Sequence, residues 1–104
     1  MTDAAQKFLK TLDSAATQKA TMAFDDPKRM DWHNIPKPER KGLQYKDMTE
    51  PQRAACMALI KASLSETGYD KAQKIMSLEA NLREGEKNLK NGNIRDPQRY
   101  FLTI

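Results

Sequence analysis

The stretch from Asp25 to Asp47 constrains this chain most, because no long helix can run through it. Pro27 follows Asp25-Asp26, and the residue before a proline is pushed out of the helical region, so a helix arriving from the N-terminus must stop there. Pro36, Pro38 and Gly42 then keep the middle of the segment extended. The 104 residues are thereby split into a helix before the segment and whatever can form after it. Five large apolar side chains nevertheless punctuate the segment: Met30, Trp32, Ile35, Leu43 and Tyr45. A connection with that many anchors is expected to lie along the domain and bury them.

Before the segment, Ala5, Phe8, Leu9, Leu12, Ala16, Ala20 and Ala23 recur at three- and four-residue spacing, which predicts one apolar stripe of a helix from about Asp3 to Phe24. Asp13-Ser14 is a capping signal that would kink it or start a second short helix. After the segment, Thr49-Glu50-Pro51-Gln52 reads as a capping box with proline in the first turn. The helix it starts carries Cys56, Leu59 and Ile60, with Ala54, Ala58 and Ala62 as a flat strip open to a neighbour. Gly68 is placed to end this helix in a left-handed conformation. A fourth helix is expected from near Asp70, with Ala72, Ile75, Met76, Leu78, Glu79 and Leu82 on one side and an end at Asn91-Gly92-Asn93. The short link makes the two helices a hairpin. Arg95-Asp96-Pro97 reads as a turn, and Tyr100-Phe101-Leu102-Thr103-Ile104 as a strand.

A lone strand is not stable, and the sequence shows no second one clearly. The expected fold is therefore mainly α: an N-terminal helix, a long irregular segment, a helical hairpin and a short C-terminal strand belonging to a sheet outside residues 1–104. The chain is expected to be a single helical module, the N-terminal part of a longer protein. Composition agrees with a thin core. Hydrophobic residues make up 38% and charged residues 31%, and a domain this small buries only about two thirds of its unfolded surface.

The net charge of +4 is localised. Between Lys28 and Lys46, the cations Lys28, Arg29, Lys37, Arg40, Lys41 and Lys46 are opposed only by Asp31 and Glu39, so a surplus equal to the whole net charge sits within that stretch. Such a surplus attracts anions or an acidic surface, or simply keeps a loop solvated. Without stacking aromatics on a known scaffold it does not point to nucleic acid. One cysteine, Cys56, rules out an internal disulfide and any multi-thiolate zinc site. The absence of a signal-like start and of a long apolar run favours a cytoplasmic protein that is not in a membrane.

Few residues suggest chemistry. His33 is the only histidine and can serve as a base or a ligand, but it needs carboxylates such as Asp25, Asp26, Asp31 or Glu79 to hold a metal. Glu79 falls on the apolar side of its helix, where a carboxylate must be paired, and Arg40, Arg53 or His33 are the partners considered. Trp32 is expected to anchor the loop. With Lys37, Arg40 and Lys41 it makes up the candidate binding residues, while His33 and Glu79 are the candidate catalytic ones. No metal set and no cofactor is specified by the sequence. Cys56, among alanine, methionine and isoleucine, reads as a small buried side chain.

The run from Phe24 through Asp31-Trp32-His33-Asn34-Ile35-Pro36 resembles the opening of a bacterial and fungal family, domain of unknown function 3500. So do Arg40-Lys41-Gly42-Leu43, Asp47-Met48-Thr49 leading into Gln52-Arg53-Ala54-Ala55, and Gly68-Tyr69-Asp70-Lys71-Ala72. Ile75-Met76-Ser77-Leu78-Glu79 and Arg95-Asp96-Pro97 with Tyr100-Phe101 continue the likeness in order. The resemblance implies a longer protein, with more strands and a His-rich motif after Tyr100, and it implies no activity. Two functions follow as expectations. One is a helical module that packs on the rest of a larger protein, its partner being the C-terminal portion of that protein. The other is part of the active site of a metal-dependent hydrolase or oxidoreductase, completed by residues beyond this chain.

Overall fold

The structure is a computed structural model that describes residues 1–31, 33–35, 37–88 and 95–104. In chain order it contains α1 (Thr2–Lys10), α2 (Ser14–Ala20), β1 (Leu43–Gln44), α3 (Glu50–Ser63), α4 (Glu66–Gly85) and β2 (Phe101–Leu102). Two 3-10 turns, Pro27–Met30 and Tyr45–Asp47, lie between α2 and α3. The fold is mainly helical, with one short antiparallel strand pair.

The expected break in the first helix is present. Asp13 accepts the Ala16 N–H at 2.7 Å and caps α2, so the alanine-rich stripe is delivered as two helices rather than one. The start of α3 also follows the sequence. The Thr49 N–H donates to Gln52 Oε1 at 2.9 Å, which is the glutamine half of the capping box. The Gln52 amide nitrogen then donates to the Thr11 carbonyl at 3.0 Å, fastening the start of α3 to the end of α1.

Gly68 does not end α3. That helix stops at Ser63, Leu64 is extended, and Ser65 caps α4 by accepting the Gly68 N–H at 3.1 Å. Gly68 therefore lies in the first turn of α4, which begins four residues before the expected Asp70. A serine three residues ahead of an N–H satisfies an otherwise orphaned donor, and this outweighs the preference of glycine for a left-handed end. The expected end at Asn91-Gly92-Asn93 lies outside the described residues; α4 is helical to Gly85.

The C-terminal strand finds a partner inside the chain. Leu43 pairs with Leu102 and Gln44 with Phe101, antiparallel, so the missing strand sits at the end of the irregular segment. With two residues it offers no alternating pattern to read. The ladder is extended by the Tyr45 N–H to the Tyr100 carbonyl at 2.8 Å. Past β2, the Ile104 N–H donates to the Ala20 carbonyl at 2.7 Å and the Met22 N–H to the Ile104 carbonyl at 2.9 Å. The chain after α2 thus runs beside residue 104.

The core is small. Phe8, Ala20, Leu43, Met48, Cys56 and Leu59 are buried, with Ala5, Leu12, Ala16, Tyr45, Ile60 and Leu102 packed around them. It joins α1, α2, β1 and α3, and leaves α4 out: no side chain of that helix is buried. The irregular segment contributes only Leu43 to the core and part of Tyr45. Met30 and Ile35, expected to be buried, are exposed because nothing in the described chain lies over them; Trp32 lies outside the described residues. Ala54, Ala58 and Ala62, the strip expected to face a neighbour, are also exposed.

Burial pushes the Cys56 thiol up to about 11 from the ordinary 9.0. Native chain should therefore resist alkylation by iodoacetamide at about pH 8 and react only once unfolded. The protonated form is favoured by the fold, so this stabilisation is complete below pH 9.0 and drains away as pH rises toward about 11. Tyr100 shifts in the same direction, through burial first and then Glu79. Fast labelling of folded chain at about pH 8 would show that α3 is not packed as described.

Candidate functional site

A concavity of about 1330 Å³ opens between described residues from Met22 to Lys41 on one wall and α4 with residues 95–104 on the other. Its position follows from the fold. The Asp96–Arg99 turn brings the second wall back alongside α4. In that turn Asp96 Oδ1 accepts the Gln98 N–H at 2.9 Å and the Asp96 carbonyl accepts the Arg99 N–H at 2.9 Å. The Gln98 N–H, and less strongly Lys46, holds the Asp96 carboxyl below the usual carboxylate range.

Arg95 organises the second wall. Its Nε and Nη2 donate to both oxygens of Glu86, at 2.9 and 3.1 Å, and its Nη1 lies 3.5 Å from Glu79 Oε2. Tyr100 donates to Glu79 Oε1 at 3.4 Å. Planar two-point pairing of this kind fixes both geometry and charge. The Arg95 guanidinium, chiefly through its hydrogen bonds, holds the Glu86 carboxyl low and is itself held more firmly protonated. The expectation that Glu79 needs a partner is met, but the partner is Arg95, not Arg40, Arg53 or His33.

Each of those three is engaged elsewhere. Arg53 reaches from α3 to the Tyr45 carbonyl at 3.2 Å and the Lys46 carbonyl at 3.0 Å, and its guanidinium stacks over the Tyr45 ring at 5.3 Å. Arg40 ties its own loop by donating to the His33 carbonyl at 2.9 Å and the Ile35 carbonyl at 2.6 Å. His33 Nε2 lies 2.7 Å from Asp31 Oδ1 in a half-exposed pair. His33 and Glu79 do line the same cleft, yet each is bound to its own neighbour. Among the described residues, no three His, Cys, Asp or Glu side chains converge as a metal site would require.

Of the candidate binding residues, Lys37, Arg40 and Lys41 line the cleft, together with Lys28 and Arg29. Arg95 and Arg99 face them from the other wall, and Arg99 crosses over to donate to the Pro38 carbonyl at 2.6 Å. Sequence reasoning found the cationic segment but missed these two arginines, which lie more than fifty residues away and outside any periodic element. The only signal was the quoted Arg95-Asp96-Pro97 turn. Against these seven cations stand Asp31, Glu39, Glu79 and Asp96, so the cleft is net positive. Phe24, Ile35, Ile75, Phe101 and Ile104 give it apolar surface between the charges.

A family model described as "Protein of unknown function (DUF3500)" matches residues 1–104. No curated protein and no solved structure matches the chain. No helix among the described residues is long and apolar enough to cross a membrane.

Proposed function

We propose that this chain, which belongs to the DUF3500 family, is a helical module that packs on further polypeptide of a larger protein. One observation carries the reading. Helix α4 is twenty residues long and buries none of its side chains, while Ile75, Leu78 and Leu82 are 57%, 51% and 41% exposed. Their three- and four-residue spacing puts them on one face. A contiguous apolar face on a long helix marks an interface, and burying each such side chain is worth about 1.5–3 kcal/mol. Phe24, Met30 and Ile35 extend the uncovered apolar surface into the loop.

The test uses Leu78→Gln with Leu82→Gln. If the face awaits a partner, the parent chain associates with rising concentration in light scattering. The double variant stays monomeric and melts within a few degrees of the parent, because no buried contact is lost. A variant melting about 10 °C lower would mean that the face is already covered within the chain, and the reading fails.

The rival is a share in the active site of a metal-dependent hydrolase or oxidoreductase, and what favours it is that His33 and Glu79 line one cleft. The packing reading expects His33→Ala and Glu79→Ala to change stability alone. The enzyme reading expects them to abolish divalent-metal uptake by the larger protein with its fold intact.

A further inference from the structure

Among the described residues, the backbone of β2 has one paired edge and one open edge. The Tyr100 carbonyl accepts from the Tyr45 N–H, the Ile104 N–H and carbonyl bond to Ala20 and Met22, and Leu102 stands opposite Leu43 between them. Along a strand these groups alternate from side to side. The N–H and C=O of Phe101 and Thr103 therefore point away from β1, and among the described residues they make no backbone hydrogen bond. Both residues line the cleft. An unpaired strand edge is a template for another extended chain, and here it faces a concavity rather than open solvent.

The walls specify what kind of chain. Lys28, Lys37 and Lys41 form no ion pair among the described residues, and Arg99 adds a fourth cation from the far wall. Between them lie the apolar side chains of Phe24, Ile75 and Phe101. An extended segment that carries both acidic and apolar residues, in alternation, offers a partner to each of these two sets of groups. At about 1330 Å³ the cleft exceeds the 300–1,000 Å³ usual for small-molecule pockets.

We propose that the outer edge of β2 receives an extended, acidic–apolar polypeptide segment, bound by strand addition and held by the lysines of the opposite wall. The proposal rests on the docking role above and names the chemistry of one partner segment. It uses Phe101, Thr103 and the lysines, and does not involve Leu78 or Leu82.

The probe is a fluorescein-labelled synthetic peptide of ten residues alternating valine and glutamate, followed by anisotropy with the 104-residue chain. Binding is expected to saturate, and to weaken at least tenfold between low and high salt, because exposed charges are screened. A peptide with lysine in place of glutamate should not bind. Methylating the backbone amides that would face β2 should weaken binding at least tenfold. Thr103→Pro, which removes an outward N–H and leaves the β1 ladder its own bonds, should do the same, as should Lys37→Glu with Lys41→Glu. Any of three outcomes overturns the proposal: no binding up to about a millimolar, equal binding of the lysine peptide, or no effect of amide methylation. Chain that pairs edge to edge with a second copy and is not displaced by the peptide overturns it as well. Should the peptide fail while Leu78→Gln with Leu82→Gln still abolishes association, the docking role stands and the cleft assignment falls. Should the peptide bind although α4 shows no tendency to associate, the reverse holds.

Discussion

Phe8→Ala is expected to lower the melting temperature by roughly 20–30 °C and to leave the chain largely unfolded well below the parent midpoint. Phe8 is fully buried and, among the described residues, is the one aromatic ring in a core whose other members are Ala20, Leu43, Met48, Cys56 and Leu59. Removing a buried phenylalanine costs about 3–5 kcal/mol in lost transfer energy and residual cavity. Domains of this length hold only about 5–15 kcal/mol in total, and here a helix of twenty residues adds no buried side chain to the core. The neighbours cannot collapse into the space, because α1 otherwise offers mainly Ala4 and Ala5 to this cluster, with Leu12 just beyond its end. Phe24→Ala is the control. Its ring is 85% exposed, stacked only under Arg29 at 4.4 Å, and its loss should move the midpoint by no more than a degree or two. Thermal unfolding followed by circular dichroism reads both. A Phe8→Ala midpoint within about 5 °C of the parent would show that the core described here does not hold the chain together.

That dependence on a single ring explains what the sequence could and could not reveal. Features set by a few adjacent residues were legible: the Asp13 cap, the Thr49–Gln52 box, the turn at Asp96, the strand around Phe101. Each is a local hydrogen-bonding or conformational preference, and local chemistry decides it. Gly68 was misread for the same reason, since two local signals competed and the Ser65 cap prevailed. Burial was less legible. Periodicity tells which residues of a helix share a face, but not whether anything lies against that face. Ile75, Leu78 and Leu82 have the spacing of a core stripe and are exposed, whereas the equally spaced Cys56 and Leu59 are buried. The candidate site was legible by halves. Its cationic wall is a run of neighbours, Lys28 to Lys41, while Arg95, Arg99 and the open edge of β2 are brought opposite by the tertiary fold. The need of Glu79 for a partner was plain from its place on the helix, but Arg95 reaches it from beyond that helix, where no spacing rule applies.

The second large effect is expected at Gly42, and it tests the strand pair on which the cleft depends. Gly42 adopts φ of +114°, the one positive φ among the described residues. Any side chain is strained there, at about 1–3 kcal/mol. An added methyl group would also sit 2.7 Å from the Leu102 carbonyl oxygen and 2.6 Å from Thr103 Oγ1. The threonine side chain can rotate away; the Leu102 carbonyl cannot without leaving the ladder to Leu43. Gly42→Ala should therefore separate β1 from β2 and lower the midpoint by roughly 10–20 °C. Gly85→Ala is the matched contrast, because nothing lies within 4 Å of its added carbon and it sits at the end of α4 without positive φ. There alanine should stabilise by up to about 1 kcal/mol. If the two substitutions instead behave alike, the strand pair contributes little and β2 is not a rigid edge. If Gly42→Ala alone is costly, the same ladder that fixes Leu102 inward also fixes Phe101 and Thr103 outward. The open edge in the cleft is then a consequence of how this glycine lets two short strands meet.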